Sequence, residues 1–230
     1  MKNKIGWCDL TWNPVIGCKN DCEYCYARNL NTRFRFVKFW NEPEWREDSF
    51  KKKFPKKPQR IFVGSMSEIY YWKKEWMKKV LNKIREYPQH TFQFLTKFPR
   101  IYLEYDFPEN CWLGVTATKR EDIDKNWTSL YRTLYGFNNN KFCKNIKLFC
   151  SIEPFLNVIN PEYLKYYDWV IIGAETGNRK GKIIPKKEWI ESIVNYCRAG
   201  KIPVYLKDSL KDIYPEEIKE FPETAKGGNQ

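Results

Sequence analysis

From residue 60 onward the chain alternates between two rhythms of apolar and polar positions. Short apolar runs at 61–64, 92–96, 112–116, Lys147–Ile152, 169–173 and 203–207 read as strands. Several are near-continuous, as in parallel strands covered on both faces. Between them, apolar residues recur every three or four positions. Segment 73–87 carries Trp76, Val80 and Ile84 at spacing four, with Met77 and Leu81 beside them. Segment 121–135 carries Ile123, Trp127, Leu130, Tyr131 and Leu134. Segment 186–199 carries Trp189, Ile190, Ile193, Val194 and Cys197, and Gly200 suits its C′ stop. Pro161–Tyr166 follows Asn160, an N-cap residue with proline at the first helical position, and is expected to be helical too.

Strand and helix in alternation predict a parallel α/β sheet, either a closed or partial barrel or a doubly wound sheet. No Gly-x-Gly-x-x-Gly follows an early strand, so a dinucleotide-binding fold has no support. With one strand before the first cysteine cluster the count is seven, which suits a partial TIM-like barrel of (β/α)6 type. One domain is expected over 1–215, with a polar tail over 216–230 that frays. Segment 33–60 interrupts the alternation and elaborates the first βα connection. It holds ten Lys/Arg against four Asp/Glu, interleaved with Phe34, Phe36, Phe39, Trp40, Trp45, Phe50 and Phe54.

Charge and cysteine usage then narrow the chemistry. Lys and Arg number 41 against 28 Asp and Glu, a formal charge of +13. That balance favours a polyanionic partner, although a lysine-rich proteome would also produce it. The absence of a long apolar stretch and of an apolar leader core leads us to expect a cytoplasmic protein with no membrane partner. A monomer is expected. The single histidine, His90, excludes sites built from several histidines. Eight cysteines in a long chain, three of them within eight positions, point to reduced metal-binding thiolates rather than disulfides.

Those three lie in Gly17-Cys18-Lys19-Asn20-Asp21-Cys22-Glu23-Tyr24-Cys25-Tyr26-Ala27. The spacing Cys-x₃-Cys-x₂-Cys lets one loop wrap three thiolates around one cluster. A fourth iron would be left for a substrate or cofactor. A zinc site completed by Cys8, Cys111 or Cys150 is the alternative, as in a non-enzymatic metal-stabilised nucleic-acid-binding module.

The triple spacing, with Tyr24 just before the third cysteine, resembles the signature of the radical S-adenosylmethionine (SAM) superfamily. The resemblance implies that Cys18, Cys22 and Cys25 ligate a [4Fe–4S] cluster. It implies that an electron from the cluster, supplied by a donor such as flavodoxin or ferredoxin, cleaves SAM to methionine and a 5′-deoxyadenosyl radical. In that superfamily a Gly-Gly-Glu-like segment after the second strand holds the SAM amino group. Gly64-Ser65-Met66-Ser67-Glu68 stands at the matching place but departs from the pattern, leaving Ser65 and Ser67 as candidates. Thr116, Thr118, Ser151 and Glu153 are candidates for the SAM ribose and carboxylate, and Glu175 and Lys207 for SAM or substrate. Independently of the resemblance, nearly every candidate strand ends in a hydroxyl or a charge, which suits a pocket at the C-terminal ends of barrel strands.

Two narrower likenesses refine this. Trp12-Asn13-Pro14, Arg60-Ile61-Phe62-Val63-Gly64-Ser65-Met66-Ser67, Pro88-Gln89-His90-Thr91-Phe92-Gln93-Phe94-Leu95-Thr96-Lys97, Trp112-Leu113-Gly114-Val115, Ser151-Ile152-Glu153-Pro154 and Asp168-Trp169-Val170-Ile171-Ile172-Gly173-Ala174-Glu175 resemble the three-cysteine phage and prophage proteins grouped as a domain of unknown function. The cluster loop itself resembles that of spore photoproduct lyases, which split a thymine–thymine adduct in DNA. That resemblance implies a hydrogen-atom relay through Tyr26 and a donor cysteine, for which Cys150, Cys111, Cys143 and Cys8 stand as candidates. A buried cysteine is also an ordinary core residue. Cations and rings in 33–60 suit phosphates and bases, so a DNA substrate is expected. A nucleoside, tRNA or phage DNA base to be modified is the alternative.

Overall fold

The computed structural model describes residues 5–122 and 146–223. Most of the expected helix at 121–135, Cys143 and the last seven residues lie outside that range. The chain divides into two compact units, Met1–Leu113 and Gly114–Gln230. Its main sheet is parallel and has seven strands, in the order β1-β4-β5-β6-β7-β8-β9.

The first unit holds β1 (Leu10–Trp12), β4 (Arg60–Val63), β5 (Thr91–Thr96) and the first half of β6 (Cys111–Thr116). Trp12 sits opposite Val63, and Val63 opposite Phe94. A side ribbon pairs β2 (Val15–Ile16) antiparallel with β3 (Glu44–Trp45). Helix α1 (Tyr26–Phe34) follows the cysteine loop, α2 (Glu47–Phe50) follows β3, and α3 (Lys74–Arg85) follows β4. The stripe expected on α3 is the buried one, with Met77, Val80, Leu81 and Ile84 all in the core.

Helix α1 was not foreshadowed by periodicity, for a physical reason. Its buried positions are Ala27 and Asn31, while Tyr26, Leu30 and Phe34, four residues apart, face solvent. The apolar stripe points the wrong way for a core signal.

Segment 33–60 divides between core and surface. Phe50 and Phe54 pack on Trp12, Trp45 packs on Trp76, and Phe54 also meets Tyr87 and Phe92. Lys83 of α3 reaches into this group. Its ammonium donates to the carbonyls of Phe50 and Lys52 and lies 5.0–5.5 Å from the ring centroids of Phe50, Phe54 and Trp12. Phe34, Phe36 and Phe39 remain exposed.

The second unit carries the rest of β6 with β7 (Lys147–Ile152), β8 (Trp169–Ile172), α4 (Lys187–Ala199) and β9 (Val204–Leu206). Cys150 pairs with Val170, and Val170 with Val204. Ile190, Ile193, Val194 and Cys197 of α4 are buried, as its pattern requires.

Three expectations are corrected here. Pro161–Tyr166 forms a 3₁₀ segment rather than an α-helix, although Asn160 does cap it by accepting from the Glu162 N–H at 3.1 Å. Gly200 is not the left-handed stop of α4: its φ is −83°, and Lys201 takes the left-handed turn with φ 54°. Ile202 N–H then returns to the Cys197 carbonyl at 2.8 Å and Lys201 N–H to Arg198 at 3.1 Å, a Schellman motif. Finally, the chain after 216 is anchored rather than frayed as far as 223. Leu206 N–H donates to Ile218, Glu220 N–H to Val204, and Phe221 packs on Trp169 and Tyr205. Two apolar residues, Ile218 and Phe221, suffice to dock a mostly polar segment. No helix among the described residues is long and apolar enough to cross a membrane.

Candidate cluster and cofactor site

The cysteine loop leaves β2 at Gly17, where φ is +107°. A Cβ there would lie 3.0 Å from both Pro43 Cα and Trp40 O, so a side chain would press on backbone. Cys18 N–H donates to Trp40 O at 2.7 Å, and Gly17 N–H to Met66 O at 3.0 Å. The chain then turns, with Cys25 N–H on the Cys22 carbonyl at 3.1 Å. Cys25 becomes the N-cap of α1, its Sγ accepting from Arg28 N–H at 3.4 Å. Cys18 Sγ accepts from Asn20 N–H at 3.3 Å. Two of the three sulfurs thus already take amide donors, and Cys25 lies at the positive end of a helix, the setting a thiolate needs.

Burial works against ionisation. It pushes the Cys18 thiol up to about 12, with Glu68, Cys25 and Cys22 adding repulsion, and it raises Cys25 as well. Buried as they are, Cys18 and Cys25 ionise only against a concentrated positive charge. Among the described residues, no three His, Cys, Asp or Glu side chains are grouped to hold a single metal ion. A cluster offers iron at separate corners, so its three thiolates need not converge on one point. One loop, three half-buried thiols and amide donors to two of them are a donor set compatible with a [4Fe–4S] group.

The loop after β4 closes over the same region. Gly64, with φ +75°, turns the chain. Asn13 Oδ1 accepts from both Ser65 Oγ at 3.1 Å and Met66 N–H at 3.2 Å, which explains the Trp12-Asn13-Pro14 motif. Tyr26 donates its hydroxyl to Ser65 O at 2.6 Å, so the residue after the third cysteine is tied to this loop. Ser67 Oγ accepts from Trp72 Nε1 at 3.0 Å. Glu68 is buried, and burial raises its carboxyl above the ordinary range while donors pull it back. These are the Thr96 hydroxyl, Lys97 N–H at 3.0 Å and Tyr70 N–H at 3.3 Å. Lys97 Nζ in turn reaches the Tyr24 hydroxyl at 3.0 Å, and Tyr71 donates to Asn20 at 2.8 Å. A connected polar network therefore joins the ends of β4 and β5 to the cysteine loop.

In the second unit the candidate residues sit in a row at strand ends. Thr116 is buried at the end of β6. Thr118 is buried just beyond and donates N–H and hydroxyl to Asp122 Oδ2 at 2.8 and 2.6 Å. Glu153 after β7 pairs with Lys207 after β9 across Gly173, where a Cβ would meet Lys207 Cδ at 3.0 Å. Glu175 is buried, with both oxygens on Arg179 at 2.7 and 2.8 Å. Ser151 is fully buried, and its hydroxyl has no hydrogen-bond partner among the described residues.

Cys150 is placed differently. It lies fully buried in mid-strand, where burial holds its thiol far above the ordinary range and Cys197 of α4 adds repulsion. Its neighbour Ser151 points to the opposite sheet face. Cys8 and Cys111 are likewise buried. The partners Asn13, Asn20, Glu68, Lys97 and Arg179 were assigned no role from sequence. Asn13, Asn20, Glu68 and Lys97 stand inside motifs quoted above, and only folding shows what they touch.

With this geometry in hand, comparison with solved structures shows the fold. A double mutant of spore photoproduct lyase with bound AdoMet and dinucleoside spore photoproduct superposes with a TM-score of 0.58 at 11% identity. The match covers 86% of this chain and 75% of that one. A single mutant with the dinucleoside photoproduct gives 0.55, and the enzyme complexed with it gives 0.54, each at 11% identity over 84% and 74% of the two chains. The likeness establishes the α/β, partial TIM-like architecture expected from the strand–helix alternation. No protein of curated function matches the sequence. The family model described as Protein of unknown function (DUF5131) matches residues 2–212, and the chain belongs to that family.

Proposed function

We propose that this protein is a radical SAM enzyme acting on nucleic acid, most concretely a DNA lyase of the spore photoproduct kind. The observation that carries the reading is the cysteine loop: three thiols from one turn, the third capping α1, in a fold shared with a SAM-bound lyase. Cys18, Cys22 and Cys25 would hold a [4Fe–4S] cluster, leaving one iron without a protein ligand. When bound, the cluster and SAM would supply reductive cleavage to methionine and a 5′-deoxyadenosyl radical.

The chain's own residues prepare the site. Asn20 and Arg28 amides stabilise charge on the outer two sulfurs. Lys97 orients Tyr24, and Glu68 fixes Lys97 through its backbone. Asn13 holds Ser65 and the Met66 backbone in place for a cofactor amino group. Tyr26, tied to the Ser65 carbonyl, is the candidate relay. In the second unit, Thr116, Thr118, Ser151, Glu153, Glu175 and Lys207 stay the candidates for the ribose, carboxylate and substrate. Ser151, with an unsatisfied hydroxyl, has a hydrogen bond to offer.

Anaerobic reconstitution with iron, sulfide, SAM and dithionite should yield 5′-deoxyadenosine, and Cys22→Ala should abolish both iron retention and product. Irradiated dry DNA should lose its spore photoproduct. Absence of 5′-deoxyadenosine would remove the enzyme class; its formation without repair would remove only the substrate and favour base modification.

A further inference from the structure

Helix α1 and the turn after it present a surface that the core does not use. Tyr26, Leu30 and Phe34 line the outward face of the helix, and Phe36 and Phe39 continue beyond it, with Phe34, Phe36 and Phe39 at 54, 39 and 50% exposure. Phe34 and Phe36 lie 5.7 Å apart, centroid to centroid. Residues 24–41 contain Arg28, Arg33, Arg35 and Lys38 and no acidic residue. Arg28 pairs with Asp21; Arg33 sits 5.1 Å from the Phe34 ring and Lys38 5.0 Å from that of Phe39.

The surface is fastened to the cysteine loop at both ends. It begins at Cys25, the cap of α1, and ends at Trp40, whose carbonyl takes Cys18 N–H. Between those points the buried Asn31 side chain bonds both the N–H and the carbonyl of Val37, at 3.0 and 3.2 Å. Underneath, Ile16, Ala27, Val37 and Met66 form a small core. The backbone that carries the rings is therefore tied to the cysteine loop by side-chain and main-chain hydrogen bonds. Exposed rings beside cations, with no acid among them, match unstacked bases and phosphates. A fully stacked duplex offers the rings no free base face.

We propose that this face is the docking surface for an unpaired stretch of nucleic acid, with Phe34, Phe36 and Phe39 stacking on bases and Arg33, Arg35 and Lys38 on phosphates. The proposal rests on the nucleic-acid reading above and deepens it, since it selects single-stranded or locally unpaired strands and states where they lie.

Fluorescence anisotropy of the full chain with a labelled single strand of roughly twelve nucleotides, and with its duplex, tests this. The single strand should bind more tightly. Phe34→Ala combined with Phe39→Ala should weaken it on the order of tenfold per ring. Replacing Arg33, Arg35 and Lys38 by glutamine should reduce the salt slope by about 2. All are surface changes, and an unchanged circular-dichroism melt checks that the variants fold. Ring variants that bind the single strand as the parent does would overturn the surface and leave the nucleic-acid reading standing. A parent that forms 5′-deoxyadenosine but binds no strand at low salt would overturn both. Variants that keep strand binding but lose reduction by an acidic flavodoxin, while dithionite still works, would assign the face to a protein partner instead.

Discussion

Asp9 accepts three hydrogen bonds from Arg60: the backbone N–H and Nε on Oδ2 at 2.8 and 3.2 Å, and Nη2 on Oδ1 at 3.0 Å. Burial alone would raise its carboxyl, but the Arg60 bonds and charge outweigh it and leave the group below its ordinary value. The folded state therefore holds the carboxylate more firmly than the unfolded chain does. Its stabilisation is complete above about pH 4 and disappears as the pH falls further. Asp9→Asn should cost about 1 kcal/mol at pH 7 in urea unfolding, with the gap to the parent closing as the pH falls below the ordinary carboxylate range. A gap that stays constant would assign the loss to packing. Gly114 makes a different demand: a Cβ there would lie 2.2 Å from Phe149 Cζ. Gly114→Ala should destabilise by about 1–3 kcal/mol, and Phe149→Leu in the same chain should recover part of that loss.

Among the elements, helices α3 and α4 each carry a feature that can be tested. Lys201 occupies a left-handed position that costs a side-chain residue about 1 kcal/mol. Lys201→Gly should raise the melting temperature by about 2–4 °C, since it keeps both Schellman bonds and relieves the strain. Helix α3 is joined to segment 33–60 through Lys83. Burial lowers the affinity of its ammonium for a proton, yet two carbonyls and three rings still hold it. Lys83→Met preserves most of the stem but leaves the carbonyls of Phe50 and Lys52 without this donor. A loss of about 2 kcal/mol is expected, read as a lower urea midpoint at unchanged slope.

For the whole molecule, the last described segment matters more than its polarity suggests. Glu220 ties β9 from both directions, accepting Val204 N–H on its side chain at 2.8 Å and donating its own N–H to the Val204 carbonyl at 2.9 Å. Its carbonyl also takes Trp169 Nε1 at 2.9 Å. Ending the chain at 216 should expose Trp169 and Tyr205 and remove these bonds, so thermal unfolding should shift downward by well over 4 °C. The net charge of +13 acts at this scale as well: it raises the encounter rate with any polyanion, and that gain should fade steeply with added salt.

The seven strands of the main parallel sheet, the stripes of α3 and α4 and the three-thiol loop were legible along the chain, because each rests on local spacing; the β2–β3 ribbon was not. Near-continuous apolar runs, a period of about four residues and a Cys-x₃-Cys-x₂-Cys interval survive without knowledge of what lies across the fold. What spacing could not decide was partnership. Tertiary structure turned the apolar stripe of α1 outward and buried Ala27 and Asn31 instead. It sent Phe50 and Phe54 inward while leaving Phe34 and Phe39 in solvent, within one compositionally uniform segment. It joined Asn13 to Ser65, Glu68 to Thr96 and Glu153 to Lys207, pairs 28 to 54 positions apart. It also placed Cys150 in mid-strand beside α4 and docked a polar tail on Trp169. Local pattern determines which residues prefer water; three-dimensional packing determines which of them are brought together when water is removed.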